Sequence, residues 1–137
     1  MDPKHQENYL KKYDEKGLEK LQSKVVFTDP AYSFIFKKTE KIVAALYLIT
    51  NLISDIEPLK WQIRKISIEL ISGTLALKKS SSSQRKQSTV DLTVTVSEII
   101  SLLKIASAAD HVSLMNFSAS PIISLPNFCR NLPITAT

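Results

Sequence analysis

Two histidines, one cysteine and a scatter of bases are the side chains with which this 137-residue chain could do chemistry. His111 follows Asp110, a pairing that would suit a general base and its orienting carboxylate. Side chains at adjacent helix positions point apart, however, so the two do not meet on one helix. His5 stands in a polar N-terminal stretch, and Cys129 has no histidine near it in sequence to take its proton. A lone cysteine makes neither an intramolecular disulfide nor a cysteine-based zinc site. The chain holds no H-E-x-x-H, no G-x-S-x-G, no Walker loop and no Glu-x-x-His pair of the di-iron bundles. These absences predict no catalytic residue, no metal site, no cofactor and no small-molecule substrate.

Phosphate binding has more material. Lys37, Lys38 and Lys41 fall at helical spacing, and Lys60, Arg64 and Lys65 follow in the stretch "DIEPLKWQIRK". Lys78, Lys79, Arg85 and Lys86 in "KKSSSSQRK" add four bases without an acid, most of the formal net charge of +5. Joined on one surface, these ten side chains would bind RNA or another polyanion through salt-dependent, sequence-independent contacts. The competing expectation is plainer: each base belongs to the solvated face of an amphipathic helix.

The elements that must position these residues read as helices. Gly17 and Gly73 are the only glycines, too few for phosphate-cradling loops or tight hairpins. Asp29-Pro30 is an N-cap followed by the residue favoured at the first helical position, and the helix it starts runs to about Ser54. Ile42, Leu46, Ile49 and Ile53 form one face of it, and Ala45, Leu48, Leu52 and Ile56 a second stripe. Two stripes imply a helix contacted on more than one side, central in a bundle or covered by a subunit neighbour. Leu48, Leu52 and Trp61 are therefore the candidate interface residues.

Asp55 is placed to cap the next helix, with Glu57 and Pro58 in its first turn, making Asp55–Pro58 a helix–helix corner. Leu59, Ile63, Ile66 and Leu70 continue at helical spacing, Ile68, Ile71 and Leu75 widen the same apolar face, and Trp61 seals its edge. The serine run predicts a mobile loop over 78–88. Beyond it, Val90, Leu92, Val94 and Val96 alternate like a strand. Leu92, Val96, Ile99, Leu103 and Ala106 keep helical spacing, Ser88-x-x-Asp91 resembles a capping box, and no turn signal intervenes, so a third helix is expected, extending as far as Phe117. Residues 118–137 carry prolines at 121, 126 and 133 and predict an irregular tail. Residues 1–28 predict a charged helical arm with a thin stripe of Tyr9, Tyr13, Leu18 and Leu21.

The stretch "DPAYSFIFKKTEKIVAALYLITNLISDIEPLKWQIRKISIELIS" resembles a small uncharacterised family of all-helical proteins from reduced-genome (candidate phyla) bacteria. That likeness covers about a third of the chain and implies no activity. More distantly, "ALYLITNLISDIEPLKWQIRKISIELISG" is similar to the helical hairpin of the four-helix-bundle proteins encoded in ribosomal-RNA intervening sequences, through Gln62, Ile63, Arg64, Lys65 and Gly73. Relatives of that family include accessory proteins of diversity-generating retroelements, so the resemblance implies a basic pentamer that binds RNA and a reverse transcriptase. The family's Pro-Ala-Asn run before the glycine is missing here.

The expectation is an all-α antiparallel bundle of three long helices, with an N-terminal helical arm over 1–28, a core region over 29–117 and a tail over 118–137. The charged N-terminus lacks the apolar segment of a signal peptide, and Ile42–Ile49, the longest apolar run, falls well short of the roughly 20 residues of a membrane span. A cytoplasmic scaffold that associates with itself or another helical protein is the expected role. RNA binding is the alternative.

Overall fold

Asp29 and Pro30 open the first helix as their types require. Asp29 is extended (φ −89°, ψ 116°), and its Oδ1 accepts the Ala31 N–H at 2.9 Å. A computed structural model describes residues 29–113, together with 4, 122, 125–128 and 130. Within these lie α1 (Pro30–Thr50), α2 (Pro58–Lys79), α3 (Ser82–Ala108) and the single turn α4 (Leu125–Phe128), with no strand among the described residues. α2 packs against α1 on one side and α3 on the other, and α4 packs on α3. The long helices are antiparallel: the Tyr32 hydroxyl at the start of α1 donates to Leu77 O at the end of α2, 3.5 Å away. The arm over 1–28 and Cys129 lie outside the described residues, Lys4 excepted.

The core follows the periodicity closely. Ile35, Ile42, Leu46 and Ile49 of α1 meet Ile63, Ile66, Leu70 and Leu77 of α2, and α3 supplies Leu92, Val96, Ile99, Leu103 and Ala106. Each Ile, Leu or Val among them contributes about 1.5–3 kcal/mol through burial. Thr39 and Thr74 place hydroxyls in this interior with their oxygens 3.3 Å apart; one donates its single proton to the other, and that other donates to its own helix, Ile35 O or Leu70 O. That pairing satisfies groups that would be costly to leave bare. Gly73 lets α3 come close, since a Cβ there would stand 2.6 Å from Leu92 Cδ2.

Several elements depart from the sequence expectation. α1 stops at Thr50, where Leu52 N–H and Ile53 N–H turn back to Ile49 O and Thr50 O; Ile53 is still buried beyond the helix. The cap of α2 is Glu57, whose Oε1 accepts the Leu59 N–H at 3.3 Å, and not Asp55. Pro58 decides this: at the first helical position it drives the preceding residue into the extended region, so the cap falls on residue 57.

The loop expected over 78–88 is reduced to Ser80 and Ser81. α3 begins at Ser82, and Gln84 Oε1 accepts the Ser81 N–H at 3.4 Å. Ser81-x-x-Gln84 thus supplies the capping pattern assigned to Ser88-x-x-Asp91, and Ser88 lies inside the helix.

α3 ends at Ala108, short of Phe117. Asp110 adopts a left-handed conformation (φ 59°), while the N–H groups of Asp110 and His111 return to Ser107 O and Ala106 O. This is a Schellman closure with aspartate where glycine is usual. In the tail, Ile122 and Phe128 are buried, so its described part docks on the bundle rather than trailing irregularly.

Candidate interaction surface

The corner between α1 and α2 is built by two of the bases assigned to phosphate binding. Lys60 is only 6% exposed. Its ammonium donates to Asp55 Oδ1 at 2.6 Å and to Ile53 O at 3.2 Å, which removes it from any basic surface. The third residue of a helix faces back over its own entry turn, and here that direction leads into the corner. The Lys60 hydrogen bond and its positive charge hold the Asp55 carboxyl below the usual carboxylate range.

Arg64 completes the clamp. Its Nε donates to Thr50 Oγ1 at 2.8 Å, and its Nη2 donates to Asn51 Oδ1 at 2.6 Å and Tyr47 O at 3.3 Å. These acceptors sit at the C-terminal end of α1, where unpaired carbonyls favour a cation. The guanidinium also lies over the Tyr47 ring (4.8 Å) and near the Trp61 ring (5.5 Å). Trp61 Nε1 donates to Asp55 O at 2.8 Å, so the indole does secure the corner, yet half of the side chain stays in solvent.

Four of the remaining bases lie at the opposite end of α2, about its turn into α3. Lys78 and Arg85 flank the Tyr32 ring at 4.9 and 5.9 Å and are partly buried, whereas Lys79 and Lys86 are exposed. Lys38 lies over the Phe34 ring, and Lys37 and Lys41 are half-buried along α1. Lys65 is exposed on α2, thirteen residues from Lys78, or roughly 20 Å at 1.5 Å per residue. Lys60, Arg64 and Lys65 thus lie near the corner end of α2 and Lys78, Lys79, Arg85 and Lys86 about its other end, with Lys37, Lys38 and Lys41 around the middle of α1.

The candidate interface residues divide as well. Leu48 and Leu52 pack on the edge of this chain's own core, so the second stripe of α1 is partly covered from within. Ile68 and Leu75, expected to widen the core face of α2, are 51% and 38% exposed. With Trp61 at 50% they make an apolar stripe of their own, one residue every seven, along the outer side of the helix. The spacing of 61, 68 and 75 was visible in the sequence. Which of two neighbouring apolar faces would be covered was not.

Comparison with family models, curated proteins and solved structures found no match for this chain. Its surface has to be read from its own residues.

One pairing escaped the sequence altogether. His111 Nε2 lies 3.3 Å from Glu57 Oε2 and ties the end of α3 to the cap of α2, beside an open cleft floored by Pro58, Leu59, Leu102 and Ile105. No sequence pattern joins positions 57 and 111; the α2–α3 packing does. Among the described residues no three His, Cys, Asp or Glu side chains converge as a metal site, and no helix is long and apolar enough to cross a membrane.

Proposed function

We propose that this chain is a non-catalytic helical-bundle scaffold, a protein-interaction module that docks another helical chain, either a second copy or a different protein. The observation that carries this reading is the stripe of Trp61, Ile68 and Leu75, three large apolar side chains exposed on one side of a helix whose other side is already well packed. Their regular alignment distinguishes them from singly scattered surface hydrophobics, which need no explanation. The test is light scattering on a sizing column for the wild type and for Ile68→Glu/Leu75→Glu. A wild-type oligomer that the double variant reduces to a monomer supports docking between copies. A wild-type monomer directs the reading to a different partner, and an oligomer unaffected by the variant contradicts it.

A second reading is favoured by one observation. The two-residue turn gathers Lys78, Lys79, Arg85 and Lys86 at one end, with no acid between Glu69 and Asp91. Such a cluster suits phosphate oxygens, as the resemblance to retroelement accessory proteins also implies. Lys79→Glu/Lys86→Glu probes it, because both side chains are exposed and hold nothing in the fold. Under this reading the wild type elutes with excess absorbance at 260 nm that high salt removes, and the variant elutes clean.

A further inference from the structure

We infer that the outer face of α2 is a docking seam for a partner helix that carries acidic residues beside its own apolar repeat. This rests on the interaction-module reading and specifies the partner. Trp61, Arg64, Ile68, Ile71, Leu75 and Lys78 follow one another at spacings of three, four, three, four and three. That 3.5-residue repeat is the period at which two helices keep a shared seam over several turns. Trp61, Ile68 and Leu75 are its exposed members, and Arg64, Ile71 and Lys78 are its half-buried ones.

Charge selects the partner. Lys65 and Lys79 are exposed alongside the seam, and Arg64 and Lys78 stand within it. Glu69, the one acid of α2, is exposed on the side toward α3, lining a shallow groove with Gly73, Asp91 and Leu92. The face is thus apolar along its line and basic near both ends; the acids nearest to it are Asp55, which is paired with Lys60 beside Trp61, and Glu69, one turn from Lys65 on the α3 side. A second copy placed on it sets four bases, Arg64, Lys65, Lys78 and Lys79, against the same four with only Glu69 and the already paired Asp55 near them, and such an excess of like charge disfavours that partner. Lipid also fits less well. A helix that lies in a membrane surface buries a broad apolar face, whereas this stripe is narrow and broken by Arg64, Lys65 and Ser72. Lys65 and Lys79 are fourteen residues apart, so a matching helix places acids two heptads apart, roughly 21 Å, flanking its apolar positions.

Trp61 is the only tryptophan, and its emission reports directly on this face. The 137-residue chain is titrated with a synthetic three-heptad peptide bearing Leu at the seam positions and Glu beside them, and with a control bearing Lys in place of Glu. The expected result is a saturable blue shift with the Glu peptide at a Kd at least roughly tenfold below that of the Lys peptide, narrowing as salt screens the pairs. Lys65→Glu/Lys79→Glu reverses the preference, and Ile68→Glu/Leu75→Glu removes binding of both. Equal binding of the two peptides overturns the inference. So does a blue shift with phosphatidylglycerol vesicles in the absence of any peptide response. A wild-type dimer dispersed by Ile68→Glu/Leu75→Glu overturns the acidic partner and leaves the interaction module standing, whereas a monomer that answers neither peptide nor vesicle removes both.

Discussion

Replacing Arg64 by methionine keeps an apolar stem of similar length and removes the guanidinium that joins α2 to the end of α1. The two short hydrogen bonds, to Thr50 Oγ1 and Asn51 Oδ1, contribute about 0.5–1 kcal/mol each at this half-buried site. Contact with the Tyr47 and Trp61 rings adds about 0.5–1 kcal/mol. The variant is therefore expected to lose about 2 kcal/mol. Urea unfolding followed through Trp61 emission and helical circular dichroism measures this directly. With a slope of about 1.5 kcal/mol per molar, the midpoint falls by about 1.3 M at unchanged slope. Arg64→Lys keeps a charge near the rings but loses the planar fork, and about half of the loss is expected. A methionine variant within about 0.5 kcal/mol of wild type, on the scale of an ordinary surface substitution, would refute the clamp. The same result would return Arg64 to the pool of bases available for phosphate.

Three further outcomes follow from the local geometry. Gly73→Ala should fall short of the roughly 1 kcal/mol that alanine gains over glycine in an open helix, because its Cβ meets Leu92; in a double-mutant cycle with Leu92→Ala the pair should couple by at least about 0.5 kcal/mol, and strict additivity would contradict the contact. Asp110→Gly should raise stability by about 0.5–1 kcal/mol by relieving a left-handed aspartate, measured as a higher urea midpoint; a loss would mean that the Asp110 side chain does something the backbone does not show. Asp55, whose carboxyl is held low by the Lys60 hydrogen bond and charge, contributes stability that is present above its unfolded pKa and lost as pH falls through its lower folded one, below about pH 4. Asp55→Asn should flatten that part of an acid titration of the unfolding midpoint, and an unchanged acid limb would show that the pairing with Lys60 does not contribute.

How far the sequence could be read depended on what each signal reports. Apolar spacing in α1 and α3 named the buried residues because those stripes face packed neighbours: Ile42, Leu46 and Ile49 in one, Leu92, Val96, Ile99 and Leu103 in the other. In α2 the same rule overreached. Ile68 and Leu75 are apolar and near the core stripe, but periodicity registers an apolar face without saying whether anything covers it. Lys60 and Arg64 read as surface charge because lysine and arginine mostly are. Only the return of the chain at the corner brings the carbonyls of Tyr47 and Ile53 to them. The serine run shows two signals in competition, with polar composition pointing to a loop and Ser81-x-x-Gln84 to a helix start.

The central claim is that Trp61, Ile68 and Leu75 form a face used for binding and not for folding. Urea unfolding of Ile68→Glu/Leu75→Glu, run beside the peptide titration, tests it most directly. A midpoint within about 0.5 kcal/mol of wild type together with lost binding is the predicted result, since exposed positions of a helix accept glutamate at little cost. A loss of several kcal/mol, on the scale of charges introduced into a packed interior, would place these side chains in the core and contradict the account.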